Sequence, residues 1–180
     1  MSMEKDVLKV LLTKEEIESI CKRLGKQISE DYKDKNLLLV SVLKGAVVFM
    51  SDIMRNITCD CVIDFMAISS YNGVKSTGAV KFKKDLDINP DGYDILIIED
   101  ILDTGLSLKY IVDILKTKQA KSVKICTFLD KPDNRKADIQ ADYVGAVVPN
   151  EFVIGYGLDY NEKYRNLPYL GVLKPEVYSK

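Results

Sequence analysis

Two hydrophobic periods alternate along the chain. Ile17, Ile20, Cys21, Leu24 and Ile28 recur three and four residues apart, marking one face of a helix that runs to about Tyr32. Thr13, followed three positions later by Glu16, supplies a capping box at its start. Residues 37–43, L-L-L-V-S-V-L, read instead as a strand buried on both faces, closing on Lys44-Gly45. Residues 46–55 are expected to be helical and residues 59–68 extended, with Asp60 and Asp64 opposite Cys61, Ile63 and Phe65. The polar stretch 69–78, S-S-Y-N-G-V-K-S-T-G, has the composition of a mobile loop or hairpin. A short strand follows over residues 79–84, then a turn at Pro90-Asp91-Gly92.

The most informative stretch is residues 95–107, I-L-I-I-E-D-I-L-D-T-G-L-S. Ile95 to Ile98 form a buried strand, with Glu99 and Asp100 expected where it ends. Asp103, Thr104 and Gly105 make a turn, after which Leu108, Ile111, Val112 and Leu115 fall at helical spacing. Two more strands are expected over residues 122–129 and 143–148. Strands alternating with helices predict an α/β domain: a mainly parallel central sheet with helices on both faces. No repeat or linker interrupts it, so residues 1–180 are expected to form a single domain.

A strand, an acidic turn and a helix N-terminus suit a ligand that is both anionic and hydroxylated. The first N–H groups of the helix can hold a phosphate. Glu99 and Asp100 would repel that phosphate, so they must face sugar hydroxyls or a divalent cation. The other common nucleotide loops are absent, with neither G-x-x-x-x-G-K-[ST] nor a G-x-G-x-x-G after a strand.

Composition narrows the chemistry further. There is no histidine, which excludes a Ser-His-Asp triad, an H-E-x-x-H zinc site and any imidazole base. A general base must then be a carboxylate, lysine, tyrosine or thiolate. The net charge of -1 does not advertise nucleic-acid binding. No apolar run reaches the roughly 18 residues that span a bilayer, and residues 1–7 lack a signal peptide's apolar core. A cytoplasmic protein without nucleic-acid or membrane partners is expected. Cys21, Cys59, Cys61 and Cys126 are expected as buried reduced thiols, with the C-x-C at 59–61 inside a strand.

Residues 95–107 resemble the phosphoribosyl-pyrophosphate motif of the type I phosphoribosyltransferases. L-K-G at 43–45, S-S-Y at 69–71, L-D-K-P at 129–132 and F-V-I-G-Y-G-L-D-Y-N-E-K-Y-R at 152–165 narrow the resemblance to the hypoxanthine-guanine phosphoribosyltransferases. It extends over about residues 37–171. The resemblance implies the type I phosphoribosyltransferase fold with a small hood and a flexible loop. It also implies purine salvage: ribose 5-phosphate passes from phosphoribosyl pyrophosphate to hypoxanthine or guanine, releasing pyrophosphate.

Carried over residue by residue, the resemblance implies that Asp103, Thr104, Gly105, Leu106 and Ser107 cradle the 5′-phosphate. Glu99 and Asp100 would lie by the ribose hydroxyls and a magnesium ion, and Asp159 by a second magnesium. Lys44 and Gly45 would contact pyrophosphate, in relatives through an unusual cis peptide, and Arg165 would offer a bidentate fork to phosphate oxygens. Phe152 would stack on the purine while Val153 offers backbone hydrogen bonds to its edge. Lys131 would donate to the 6-oxygen, which disfavours adenine and leaves xanthine open. Ser70 and Tyr71 belong to the closing loop, and Asp103 would accept the proton from purine N7. Residues 133–136, D-N-R-K, depart from the family's often basic run, so contacts just beyond Lys131 are not carried over. The family forms dimers and tetramers, with the apolar helix after Ala46 either an interface or core. A regulator built on the same fold that binds RNA is the rival reading.

Overall fold

The computed structural model describes residues 3–70 and 80–179. A short 3-10 turn, Met3–Asp6, leads into β1 (Val7–Leu12) and α1 (Lys14–Asp31). Then follow β2 (Leu37–Leu43), α2 (Val47–Met54), β3 (Cys61–Ser70), β4 (Val80–Lys84), β5 (Asp94–Leu102) and α3 (Leu106–Thr117). The chain closes with β6 (Ser122–Asp130), β7 (Tyr143–Val147), β8 (Val153–Ile154), β9 (Leu170–Leu173) and α4 (Pro175–Tyr178).

The main sheet has the order β4-β3-β2-β5-β6-β7. It is parallel throughout except where β4 runs antiparallel to β3, with Val80 opposite Ser70. Alternation along each strand sends side chains to the two faces in turn. Leu37, Leu39, Leu96, Ile98, Cys126 and Phe128 meet α1 and α2 on one face. Leu38, Val40, Ile95, Ile97 and Ile125 meet α3 on the other. The Thr13–Glu16 capping box forms as expected, and α1 buries Ile17, Cys21, Leu24 and Ile28. Phe49, Met50 and Ile53 of α2 lie in the core, which leaves Val47 as the exposed apolar residue of that helix. Among the described residues no helix is long and apolar enough to cross a membrane.

Some boundaries differ from expectation. The C-x-C does not lie inside a strand: β3 begins at Cys61, and Cys59 and Cys61 are half-buried free thiols, unlike the buried Cys21 and Cys126. Asp64 is buried, and its carboxylate accepts hydrogen bonds from the Phe65, Asp87 and Ile88 N–H groups and from Lys84 Nζ. Burial alone would raise its pKa, but these donors outweigh it and hold the group below the usual carboxylate range. The carboxylate thereby ties the connection after β4 to the sheet. A second sheet, β1-β9-β8, is antiparallel and forms the hood. Residues 71–79, including Tyr71 and most of the expected mobile loop, lie outside the described residues.

Candidate active site

The chain leaves β2 for β3 on one side and later adds β5, β6 and β7 on the other, so the topological switch falls between β2 and β5. Ligands of open α/β sheets bind at the carboxyl ends of strands at such a switch. Lys44-Gly45 follows β2 there, the Glu99–Asp103 segment closes β5, and Lys131 follows β6.

The acidic pair does not end its strand as expected. β5 continues through Glu99 and Asp100 to Leu102, because Ile101 and Leu102 still pair with Leu129 and Asp130 of β6. Both carboxylates are consequently held by strand geometry rather than by a loose turn. Glu99 Oε2 is shielded from solvent and has no hydrogen-bond partner. Withdrawal from water, and secondly the neighbouring Asp100, push the Glu99 carboxyl well above the ordinary range. Burial likewise pushes Asp100 up to about 6, against the opposing pull of the Ile101 N–H and Arg165. Two shielded acids short of positive charge fit sugar hydroxyls and a divalent cation. Among the described residues no three acidic or cysteine side chains converge as a metal centre of their own. Magnesium usually binds through one or two carboxylates plus substrate phosphates, so that donor set is compatible with it.

Gly45 sits directly above Asp100. A Cβ there would fall 1.6 Å from Asp100 Oδ2, so only glycine admits this approach. The Leu43–Lys44 peptide before it is cis. Gly157 also closes on Gly45, and a Cβ on it would lie 2.2 Å from the Gly45 carbonyl oxygen.

The cations expected at the pyrophosphate end are brought together by an acid that sequence reasoning did not single out. Glu162 pairs with Lys44 at 3.1 Å and with Arg165 at 3.2 Å. Arg165 also pairs with Asp159 at 2.9 Å and donates to the Gly157 carbonyl at 2.7 Å. Its neighbours Lys44 and Arg165 hold Glu162 below the usual carboxylate range. Glu162 lies within the aromatic and acidic stretch 152–165, which was its only signal in the sequence.

Gly105 takes a left-handed conformation, φ 76°, to turn the chain from β5 into α3. Thr104 accepts from the Lys136 and Ala137 N–H groups through its carbonyl, while Leu106 and Ser107 open α3 with exposed side chains. The N–H groups of this first turn are the part of a helix that suits a phosphate. The residues beyond Lys131 that the family pattern did not reach hold this turn from behind. Asn134 Nδ2 donates to Asp103 Oδ1 at 2.6 Å. Arg135 donates to the Asp103, Leu102 and Ile139 carbonyls and pairs with Asp130.

At the end expected to take the base, Lys131 is 7% exposed and its Nζ donates to the Glu151 carbonyl at 2.6 Å. Burial lowers its pKa, against the pull of Asp103 and Glu151. Phe152 follows Glu151 with its ring partly in solvent, edge-on to Tyr160 and stacked on Tyr178. Val153 lies on β8, paired with Val172. Ser70 ends β3 on the main sheet, and Tyr71 lies outside the described residues. A cavity of about 670 Å³ between α1, α2 and residues 165–168 shares only Arg165 with these groups.

The family described as the phosphoribosyl transferase domain matches residues 8–161. The chain is 55% identical over 179 residues to the hypoxanthine-guanine phosphoribosyltransferase of Staphylococcus epidermidis, covering 99% of this chain and 100% of the relative. It is 52% identical over 180 residues to the bifunctional protein TilS/HprT of Listeria monocytogenes, but spans only 28% of that relative's length. Among solved structures, a hypoxanthine phosphoribosyltransferase from Staphylococcus aureus superposes with a TM-score of 0.96 at 54% identity, covering 99% of this chain and 97% of the other. A hypoxanthine-guanine phosphoribosyltransferase from Bacillus anthracis superposes with a TM-score of 0.87 at 40% identity, covering 93% and 98%.

Proposed function

The chain belongs to the phosphoribosyltransferase family, and on that premise we propose that it transfers ribose 5-phosphate from phosphoribosyl pyrophosphate to hypoxanthine and guanine. One observation carries the reading: adjacent strand ends gather an acidic pair, a helix N-terminus, two cations and a shielded lysine beside an aromatic platform. The chain acts as a single cytoplasmic domain, assembled as a homodimer or homotetramer.

The residues divide the work by place. The turn from Asp103 to Gly105 and the opening residues of α3, Leu106 and Ser107, receive the 5′-phosphate. Glu99 and Asp100 accept from the ribose hydroxyls, and with Asp159 they would hold magnesium, which supplies positive charge to the departing pyrophosphate. Lys44 and Arg165 neutralise the negative charge that grows as the C1–O bond opens. Ser70 and Tyr71 lie on the segment that shields the reacting carbon from water. Phe152 stacks on the purine, Val153 meets its edge, and Lys131 donates to the 6-oxygen. An adenine would present a second donor to Lys131 in place of an acceptor. Asp103 accepts the N7 proton, and a carboxylate in that role is consistent with a chain without histidine.

The test is a spectrophotometric assay of the purified protein with phosphoribosyl pyrophosphate and magnesium. Hypoxanthine, guanine, xanthine and adenine are compared side by side. Turnover with hypoxanthine and guanine, and none with adenine, is expected. Failure with every base, in a protein that still binds the donor, would overturn the reading.

A further inference from the structure

Phe152 is flanked on more than one side. Tyr160 meets it edge-on, with ring centroids 5.6 Å apart and planes at 88°. Tyr178 lies nearly parallel, at 5.0 Å and 23°. We infer that Tyr178 is a positioning residue of the purine subsite, covering one face of Phe152 and presenting the other to the base; this rests on the platform role proposed above for Phe152.

Tyr178 reaches this place on α4, and α4 is anchored to the hood. The Lys174 N–H donates to the Asp6 carbonyl at 2.9 Å, and Lys174 Nζ to the Lys5 carbonyl at 2.6 Å. Val177 packs against the cluster of Ile154, Tyr164, Leu167 and Leu173. Pro175 at the first helical position sets the direction of the turn. The packing of α4 thus falls to Val177 and Lys174, while the Tyr178 ring stacks on Phe152. An anchored ring is a wall rather than a lid, so the base takes the remaining face.

The physical gain is preorganisation. Phe152 is 38% exposed and precedes a strand of two residues, so its own surroundings restrain it weakly. A parallel ring on one face and an edge-on ring beside it fix its plane before the base arrives. The base then loses less free energy in ordering its platform. Aromatic pairs of this geometry contribute about 0.5–1.5 kcal/mol beyond buried area, a factor of about two to ten in affinity.

The experiment measures steady-state constants for Tyr178→Ala, Tyr178→Phe and Phe152→Ala in the full chain, with thermal unfolding alongside. Tyr178→Ala should raise KM for hypoxanthine about two- to tenfold while KM for phosphoribosyl pyrophosphate stays near the parent value. Tyr178→Phe should restore the parent KM, because stacking needs the ring and not the hydroxyl. An unchanged base KM in Tyr178→Ala, when Phe152→Ala raises it, overturns the inference alone. A lowered KM would mean that the ring occupies the place of the base and overturns it too. Equal rises in both KM values with a lowered Tm would reduce Tyr178 to a structural role. An unchanged base KM in Phe152→Ala overturns the platform reading and the inference with it.

Discussion

Replacing Arg135 by methionine should cost stability and catalysis together. The guanidinium donates to the Asp103 carbonyl at 2.8 Å, the Leu102 carbonyl at 3.0 Å and the Ile139 carbonyl at 2.8 Å. It also pairs with Asp130, where the two side chains are only 15% and 19% exposed. Methionine keeps the apolar stem and removes every donor. Breaking a fully buried ion pair from one side costs about 3–5 kcal/mol. The slight exposure here lets water reach Asp130, which puts the expected loss near the lower end, about 3 kcal/mol. For a domain of this size each kcal/mol lowers Tm by about 2–4 °C, so a fall of about 6–12 °C is expected. Urea unfolding should show the same loss, and Asp130→Asn in the Arg135→Met background should add little, because the pair is already broken. Turnover should fall as well, since the donors that methionine lacks hold the Leu102 and Asp103 carbonyls at the bend that presents Asp103. A Tm shift under about 2 °C, or full additivity with Asp130→Asn, would refute the clamp.

Asn134→Ala removes the 2.6 Å hydrogen bond that orients Asp103. A bond to a charged group contributes about 1.5–3 kcal/mol, so kcat should fall about tenfold or more with KM for the donor little changed; a kcat within twofold of parent contradicts the role. Gly45→Ala places a Cβ 1.6 Å from Asp100 Oδ2, so Asp100 must leave its position. Calorimetric titration should show lost phosphoribosyl-pyrophosphate binding in a protein that stays folded, and parent-like affinity would show that the approach is not required. Lys131 has its pKa lowered below 10.5 by burial, so between its folded value and 10.5 the unfolded chain holds more protons and stability rises with pH. Lys131→Met lacks this term. Its stability relative to the parent should therefore decline as the buffer moves from about pH 7 to about pH 10, and a constant or growing advantage would count against it.

The elements read correctly from the sequence are those whose signal is local. The α1 face and its capping box lie within a few turns of chain, and so does the α3 face. The run at β2 is buried on both sides and needs no partner to be recognised. β5 was cut short because charged residues usually mark a strand's end. Here the ladder to β6 carries the backbone past Glu99 and Asp100, a tertiary decision that no window of sequence contains. The hood was missed as strands for a related reason. β1 pairs with β9, from the far end of the chain, and β8 has two residues, too few for a period.

The site was legible in its residue types and illegible in its pairings. A lysine after β2 and an arginine near residue 165 announce affinity for an anion, each on its own chemistry. Glu162 becomes visible only once Lys44, 118 positions away, is folded against it. The same folding sets Asn134 on Asp103 and Tyr178 on Phe152. These pairings alter what the cations offer. Lys44 and Arg165 do not stand as bare charges, because Glu162 joins them and Asp159 pairs with the same Arg165 nitrogen. A pyrophosphate bound as proposed would therefore compete with carboxylates already paired to those cations, although Arg165 Nε has no partner of its own. Its net gain is a difference between two sets of ion pairs, not the full attraction of two free charges. On the proposed reading Glu162 competes with the donor, so Glu162→Gln should lower the Kd for phosphoribosyl pyrophosphate in calorimetric titration, and an unchanged or higher Kd would refute that competition.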